Sequence, residues 1–157
     1  MTFELEDILT VLPHRPPMLF LDRVVDVRPG ASGTGLKAAA WAGRLSGPAG
    51  APSFPWIVTL EMLAQTAGIV CAAAWALERG DPPPDGAGAF GYLTSIDADL
   101  HEPVRPFDPL EAVVSITRIW SGMIMFQGTV KAAERSAVRA RMSISAGSPG
   151  PAQGASA

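Results

Sequence analysis

Glu61 and Gln65 stand four residues apart inside an otherwise apolar run, Pro55-Trp56-Ile57-Val58-Thr59-Leu60-Glu61-Met62-Leu63-Ala64-Gln65-Thr66 and on to Glu78. Four residues make about one helical turn, so the two side chains share a face. A carboxylate among apolar neighbours is costly unless it is hydrogen-bonded or its pKa moves. Burial alone pushes a carboxyl upward, toward the range of an acid catalyst, and Glu61 is therefore the residue to explain. The second chemically interesting group is His14, which with Arg15 lies in Leu12-Pro13-His14-Arg15-Pro16-Pro17. Three prolines fix φ and restrict their predecessors, so this stretch is extended and stiff and holds both side chains in place. One reading of His14 and Arg15 is modest: they hydrogen-bond loop carbonyls and fix the start of a strand. His101, in His101-Glu102-Pro103, reads as a solvated residue at a strand end. Cys71, the one cysteine, reads as a small packing residue.

The element that must carry Glu61 is a long helix from Pro55 to about Glu78. Ala, Leu and Met favour it, and its only proline opens it, where a missing N–H is harmless. It is apolar on nearly every side, so something must wrap it. From Ala67 the run free of strongly polar groups reaches only Leu77, about half of the ~20 residues that a membrane span needs. A helix wrapped inside a domain is the expectation.

Phe3 to Leu12 has the spacing of a short amphipathic helix with Glu4, Glu6 and Asp7 in its first turns, where acids suit the helix dipole. Met18 to Arg28 reads as a strand, Pro29–Gly33 as a turn, and Thr34 to Trp41 as the returning strand. Gly43 to Pro55 is a loop leading to the long helix, which stops near Gly80 before Asp81–Gly86. Four strands follow. Phe90–Leu100 alternates Phe90, Tyr92, Thr94 and Ile96 against Gly91, Leu93, Ser95 and Asp97. Leu110–Trp120 and Met123–Ala132 are joined by Ser121-Gly122, a good hairpin turn. The last strand sets Val138, Ala140, Met142 and Ile144 against Arg139, Arg141, Ser143 and Ser145, with Glu134-Arg135 as its turn. One domain over 1–146 and a disordered Gly/Pro/Ala/Ser tail over 147–157 are expected. The fold class is α+β, an antiparallel sheet curled around one buried helix.

Composition narrows the partners. The 157 residues suffice for one domain with a real core. Net charge is −3 with no basic stripe, which argues against nucleic acid and anionic membranes. A lone cysteine and an acidic N-terminus without a leader pattern fit a cytoplasmic setting. No Cys/His cluster supports a metal.

Three motifs bring the chain close to a known family: Leu12-Pro13-His14-Arg15-Pro16-Pro17-Met18-Leu19-Phe20-Leu21-Asp22-Arg23-Val24, Phe54-Pro55-Trp56-Ile57-Val58-Thr59-Leu60-Glu61-Met62-Leu63-Ala64-Gln65, and Pro103-Val104-Arg105-Pro106-Phe107-Asp108-Pro109-Leu110. In order and spacing they resemble the hot-dog fold proteins of the 3-hydroxyacyl-acyl-carrier-protein dehydratase type. The resemblance implies a curved antiparallel sheet around a long central helix, and reversible loss of water from a 3-hydroxyacyl thioester to give a trans-2-enoyl thioester. It implies no cofactor and an acyl thioester on acyl carrier protein or coenzyme A as substrate. It implies a homodimer or trimer of dimers, with a second hot-dog subunit as a further possibility. Glu61 takes the family's catalytic carboxylate, as acid. Pro55, Trp56, Ile57 and Gln65 take substrate-binding positions: the amides near Trp56 and Ile57 polarise the thioester carbonyl, and the Trp56 indole narrows the entrance or clamps the acyl chain. The family's histidine, given by the other subunit, has Gly47 in its place here; in combining a Leu-Pro-His segment with a Trp before Glu-x-x-Ala-Gln the chain is similar to a divergent dehydratase-like branch, members of which occur in pigment and aryl-polyene pathways. His14 is the replacement base to examine, met by Glu61 across a dimer. A thioesterase and a non-catalytic acyl-binding subunit are the competing readings.

Overall fold

The computed structural model describes residues 1–38, 55–79, 91–105 and 107–146. In chain order the elements are α1 (Leu5–Val11), β1 (Arg23–Arg28), β2 (Ser32–Lys37), α2 (Trp56–Arg79), β3 (Gly91–Leu100), β4 (Leu110–Trp120), β5 (Met123–Ala132) and β6 (Arg135–Ala146). Among the described residues the strands form one six-stranded sheet in the order β1-β2-β4-β5-β6-β3, each neighbouring pair antiparallel. Helix α2 packs against β1, β2, β4, β5 and β6. This is the hot-dog arrangement expected from the sequence.

The sheet forms where period-2 patterning buries one face. Leu110, Ala112 and Val114 of β4, Phe126 and Val130 of β5, and Val138, Ala140, Met142 and Ile144 of β6 are all buried. They meet Met62, Leu63, Ala67, Ile69 and Val70 of α2 in one core. Helix and sheet approach closely at glycines: a Cβ on Gly128 would lie 2.5 Å from Leu63 Cδ2 and 2.8 Å from the Val113 carbonyl oxygen. The length and apolarity of α2 would pass for a membrane span. Most of its side chains are instead buried inside this sheet. Ser121 and Gly122 take φ of 48° and 76°, the doubly left-handed turn that matches strand twist.

Several sequence readings need correction. Met18–Asp22 is not a strand. Its apolar side chains Leu19, Phe20 and Leu21 are buried. Its Phe20 N–H, however, donates to the Gln65 side chain at 3.0 Å instead of joining a ladder, so β1 begins only at Arg23. The turn before β6 is Ala133-Glu134, and Arg135 already pairs with Ala132. A bulge between Leu93 and Ser95 breaks the expected alternation of β3. Leu93, Ile96, Ala98 and Leu100 consequently pair with the buried residues Ile144, Met142, Ala140 and Val138. The Gly43–Pro55 loop apart from Pro55, the helix stop at 80–86 and the tail at 147–157 lie outside the described residues.

Candidate active site

Pro55 opens α2, and Val58 N–H donates to the Pro55 carbonyl at 3.0 Å. Thr59 Oγ1 donates to the Trp56 carbonyl at 2.6 Å. The amides of Trp56 and Ile57 have no acceptor among the described residues. They are the free donors expected at the positive end of a helix. Ile57, 62% exposed, lies one turn before Glu61 on the same face. Trp56 is partly buried and packs against the core.

The Leu12–Asp22 segment runs beside this helix and meets it at Glu61 and Gln65. His14 Nε2 lies 3.1 Å from Glu61 Oε1, and the two side chains are 31% and 29% exposed. This contact lies within one chain, whereas the sequence reading looks for it across a dimer. The cause is the path of the segment: Gln65 grips it just downstream, so His14 reaches its own chain's helix. Gln65 Nε2 donates to the Met18 carbonyl at 2.8 Å and to Glu61 Oε1 at 3.0 Å, while its Oε1 accepts from Phe20 N–H at 3.0 Å.

Gln65 is only 2% exposed, and its carboxamide is engaged by these three bonds. It orients Glu61 and holds the Met18–Phe20 backbone. Arg15 donates to the carbonyls of Leu12 and His14, both at 2.8 Å, and of Leu9 at 2.9 Å. The modest reading of Arg15 is therefore what its bonds follow, whereas His14 reaches beyond the loop to the carboxylate.

The electrostatics also differ from expectation. The His14 hydrogen bond holds the Glu61 carboxyl below the ordinary glutamate range; burial opposes it, and the Gln65 and His14 contacts add to the lowering. The expected upward shift fails because desolvation meets two donors aimed at one oxygen. Both donors converge on Oε1, and among the described residues nothing donates to Oε2. His14 Nδ1 is buried with no hydrogen-bond partner among the described residues. That suits the tautomer with its hydrogen on Nε2, pointed at the carboxylate. Burial raises the Cys71 thiol to about 11, as suits a packing residue. Among the described residues no group of His, Cys, Asp and Glu is arranged to hold a metal ion. The backbone of Met18 and Phe20 belongs to this site without having been singled out for it.

The third motif folds as the approach to β4. Asp108 accepts from Arg105 N–H at 2.9 Å and pairs with Arg135, which also binds Glu102 at 3.2 Å. His101 is exposed near this network, with its N–H on the Ala137 carbonyl. It is not brought to Glu61.

Comparison with known proteins agrees with this architecture. A 3-hydroxyacyl-acyl-carrier-protein dehydratase FabZ of Syntrophotalea carbinolica is 33% identical over 82% of this chain and 84% of its own length. A protein of the same name from a Caulobacter species is 30% identical over 87% and 82%. The dehydratase heterocomplex ApeI:P of Xenorhabdus doucetiae superposes with a TM-score of 0.72 over 90% of this chain and 91% of that one, at 20% identity, a likeness of fold. A hypothetical thioesterase of Streptococcus pneumoniae solved with coenzyme A shares the fold more loosely, with a TM-score of 0.53 at 8% identity. The profile of the ApeP-like family, described as ApeP dehydratase, matches residues 6–153. With the match running through the helix that carries Glu61 and the segment that carries His14, this dehydratase-like hot-dog protein belongs to the ApeP-like dehydratase family.

Proposed function

We propose that the chain eliminates water from 3-hydroxyacyl thioesters carried by acyl carrier protein or coenzyme A, and that Glu61 Oε2 is the atom that moves the proton. The carrying observation is the convergence of His14 Nε2 and Gln65 Nε2 on Glu61 Oε1, which leaves Oε2 without a donor. A carboxylate held in its ionised form is a base, so Oε2 takes the proton from the carbon next to the thioester carbonyl. The developing enolate oxygen is stabilised by the free amides of Trp56 and Ile57 at the helix start. Collapse of the enolate forms the carbon–carbon double bond and breaks the bond to the 3-hydroxyl. The proton on Oε2 passes to that leaving oxygen, water departs, and Glu61 is again a carboxylate. Ile57 is placed to touch the substrate near Glu61, and Pro55 sets the helix start. Trp56, packed on the core, shapes the site from behind.

This assigns base and acid duty to one carboxylate. His14 stays a donor to Oε1, because Nε2 is engaged and Nδ1 is sealed from substrate. A second hot-dog subunit remains part of the proposal, because among the described residues β3 is a free sheet edge with Leu93, Ile96 and Leu100 exposed on its helix side. Either another copy or a different hot-dog chain fits that edge.

The test is an assay of the purified protein with a 3-hydroxyacyl thioester and its enoyl counterpart, following both interconversion and free thiol. Interconversion without thiol is the expected outcome. Thiol release would replace this reading with thioester hydrolysis. Glu61→Gln should lower the rate by about 100-fold or more, the scale of losing a positioned proton-transfer group.

A further inference from the structure

The His14 ring makes one polar contact among the described residues, the 3.1 Å approach of Nε2 to Glu61 Oε1, and its other nitrogen is buried without a partner among them. Nothing else polar in the ring fixes its direction, so its aim depends on the backbone that carries it. That backbone is poor in donors of its own, since Pro13, Pro16 and Pro17 have no N–H. Downstream, Met18 N–H closes a turn onto the Arg15 carbonyl at 2.8 Å, and Gln65 takes the Met18 carbonyl. Upstream, Leu12 N–H holds the Ile8 carbonyl at 2.8 Å, and the side-chain donors come from one residue. Arg15 turns back over the end of α1, which has no basic residue in its last turn. Its Nη2 binds the Leu9 carbonyl, and its Nη1 binds the carbonyls of Leu12 and of His14 itself. A planar fork with fixed donor directions can hold three carbonyls at once, which a lysine ammonium on a flexible stem does less well.

From this geometry we infer that Arg15 is a positioning residue: by tying the His14 backbone to the end of α1 it aims the imidazole at Glu61 Oε1. Arg15 touches no reacting atom and acts through His14. The inference rests on Glu61 being the reacting carboxylate only for its effect on rate; its effect on Glu61 ionisation stands apart from turnover. Among the described residues His14 is the only titratable group that bears on Glu61 ionisation, with neutral Gln65 beside it.

The experiment follows the Glu61 carboxyl by carbon-13 NMR as pH is lowered, in wild type, Arg15→Ala, His14→Ala and the double variant, with thermal unfolding measured alongside. The expected result is that Arg15→Ala raises the Glu61 midpoint by most of the shift that His14→Ala produces, and that the double variant matches His14→Ala. Arg15→Lys should restore part of the wild-type midpoint. A wild-type midpoint in folded Arg15→Ala would overturn the inference and leave Arg15 as a cap for α1. Arg15→Met, which keeps the stem and removes the donors, reads the same midpoint if the alanine variant does not fold. Loss of the fold in both would also overturn it, because Arg15 would then hold the domain and not the imidazole. If the midpoints shift as expected while no variant, wild type included, converts substrate, the positioning role stands and the proposed reaction falls.

Discussion

At the residue scale, the site turns on which oxygen of Glu61 is occupied. His14 and Gln65 both address Oε1, and their hydrogen bonds outweigh the burial that would have raised the carboxyl. A lowered folded pKa means that Glu61 contributes stability above its unfolded value, 4.5 for an ordinary glutamate, and loses it as pH falls through the lower folded value. Activity and stability should therefore hold through the ordinary glutamate range and fall only below it. His14→Ala removes the largest lowering cause and leaves burial opposed only by the Gln65 hydrogen bond, so the acidic limb of the pH–rate profile should move upward. An unmoved limb would separate His14 from Glu61. Gln65→Leu should cost about 1–3 kcal/mol in denaturant unfolding, because the Phe20 N–H and the Met18 carbonyl lose a buried partner. Glu61 and His14 could each be picked out from the sequence by residue type and setting. Their contact could not, since no local pattern reports which chain a distant histidine reaches, nor the direction of a pKa shift set by two donors.

At the element scale, α2, β4 and β5 were legible because long periodic stretches with clear turn chemistry leave little choice. Met18–Asp22 was not, because an apolar run looks the same whether its amides enter a ladder or, as at Phe20, bind a buried glutamine. The β3 bulge was hidden for a related reason: one extra residue changes faces without changing composition. The helix–sheet contact is a sharper test of the packing. Gly128→Ala should destabilise by about 1–3 kcal/mol, since the new methyl meets the Leu63 side chain and the Val113 carbonyl and backbone cannot give way cheaply. Thermal or chemical unfolding of the variant checks this, and wild-type stability would mean that α2 sits farther from β5.

At the scale of the whole molecule, α2 covers the sheet except toward β3 among the described residues, and the free β3 edge with exposed Leu93, Ile96 and Leu100 is where the proposed second hot-dog subunit would sit. Ile96→Lys should shift sedimentation toward the single chain while the circular dichroism stays native. An unchanged sedimentation profile would place any association elsewhere. Whatever sits on that edge, the His14–Glu61 contact is made inside one chain. The decisive measurement is therefore complementation: His14→Ala and Glu61→Gln chains are co-expressed, the mixed assembly is purified, and its conversion of a 3-hydroxyacyl thioester is compared with wild type and with each variant alone. No recovery in the mixture, beside an active wild type, is the predicted result; recovery would show that the histidine and the carboxylate act from different chains and would contradict the account.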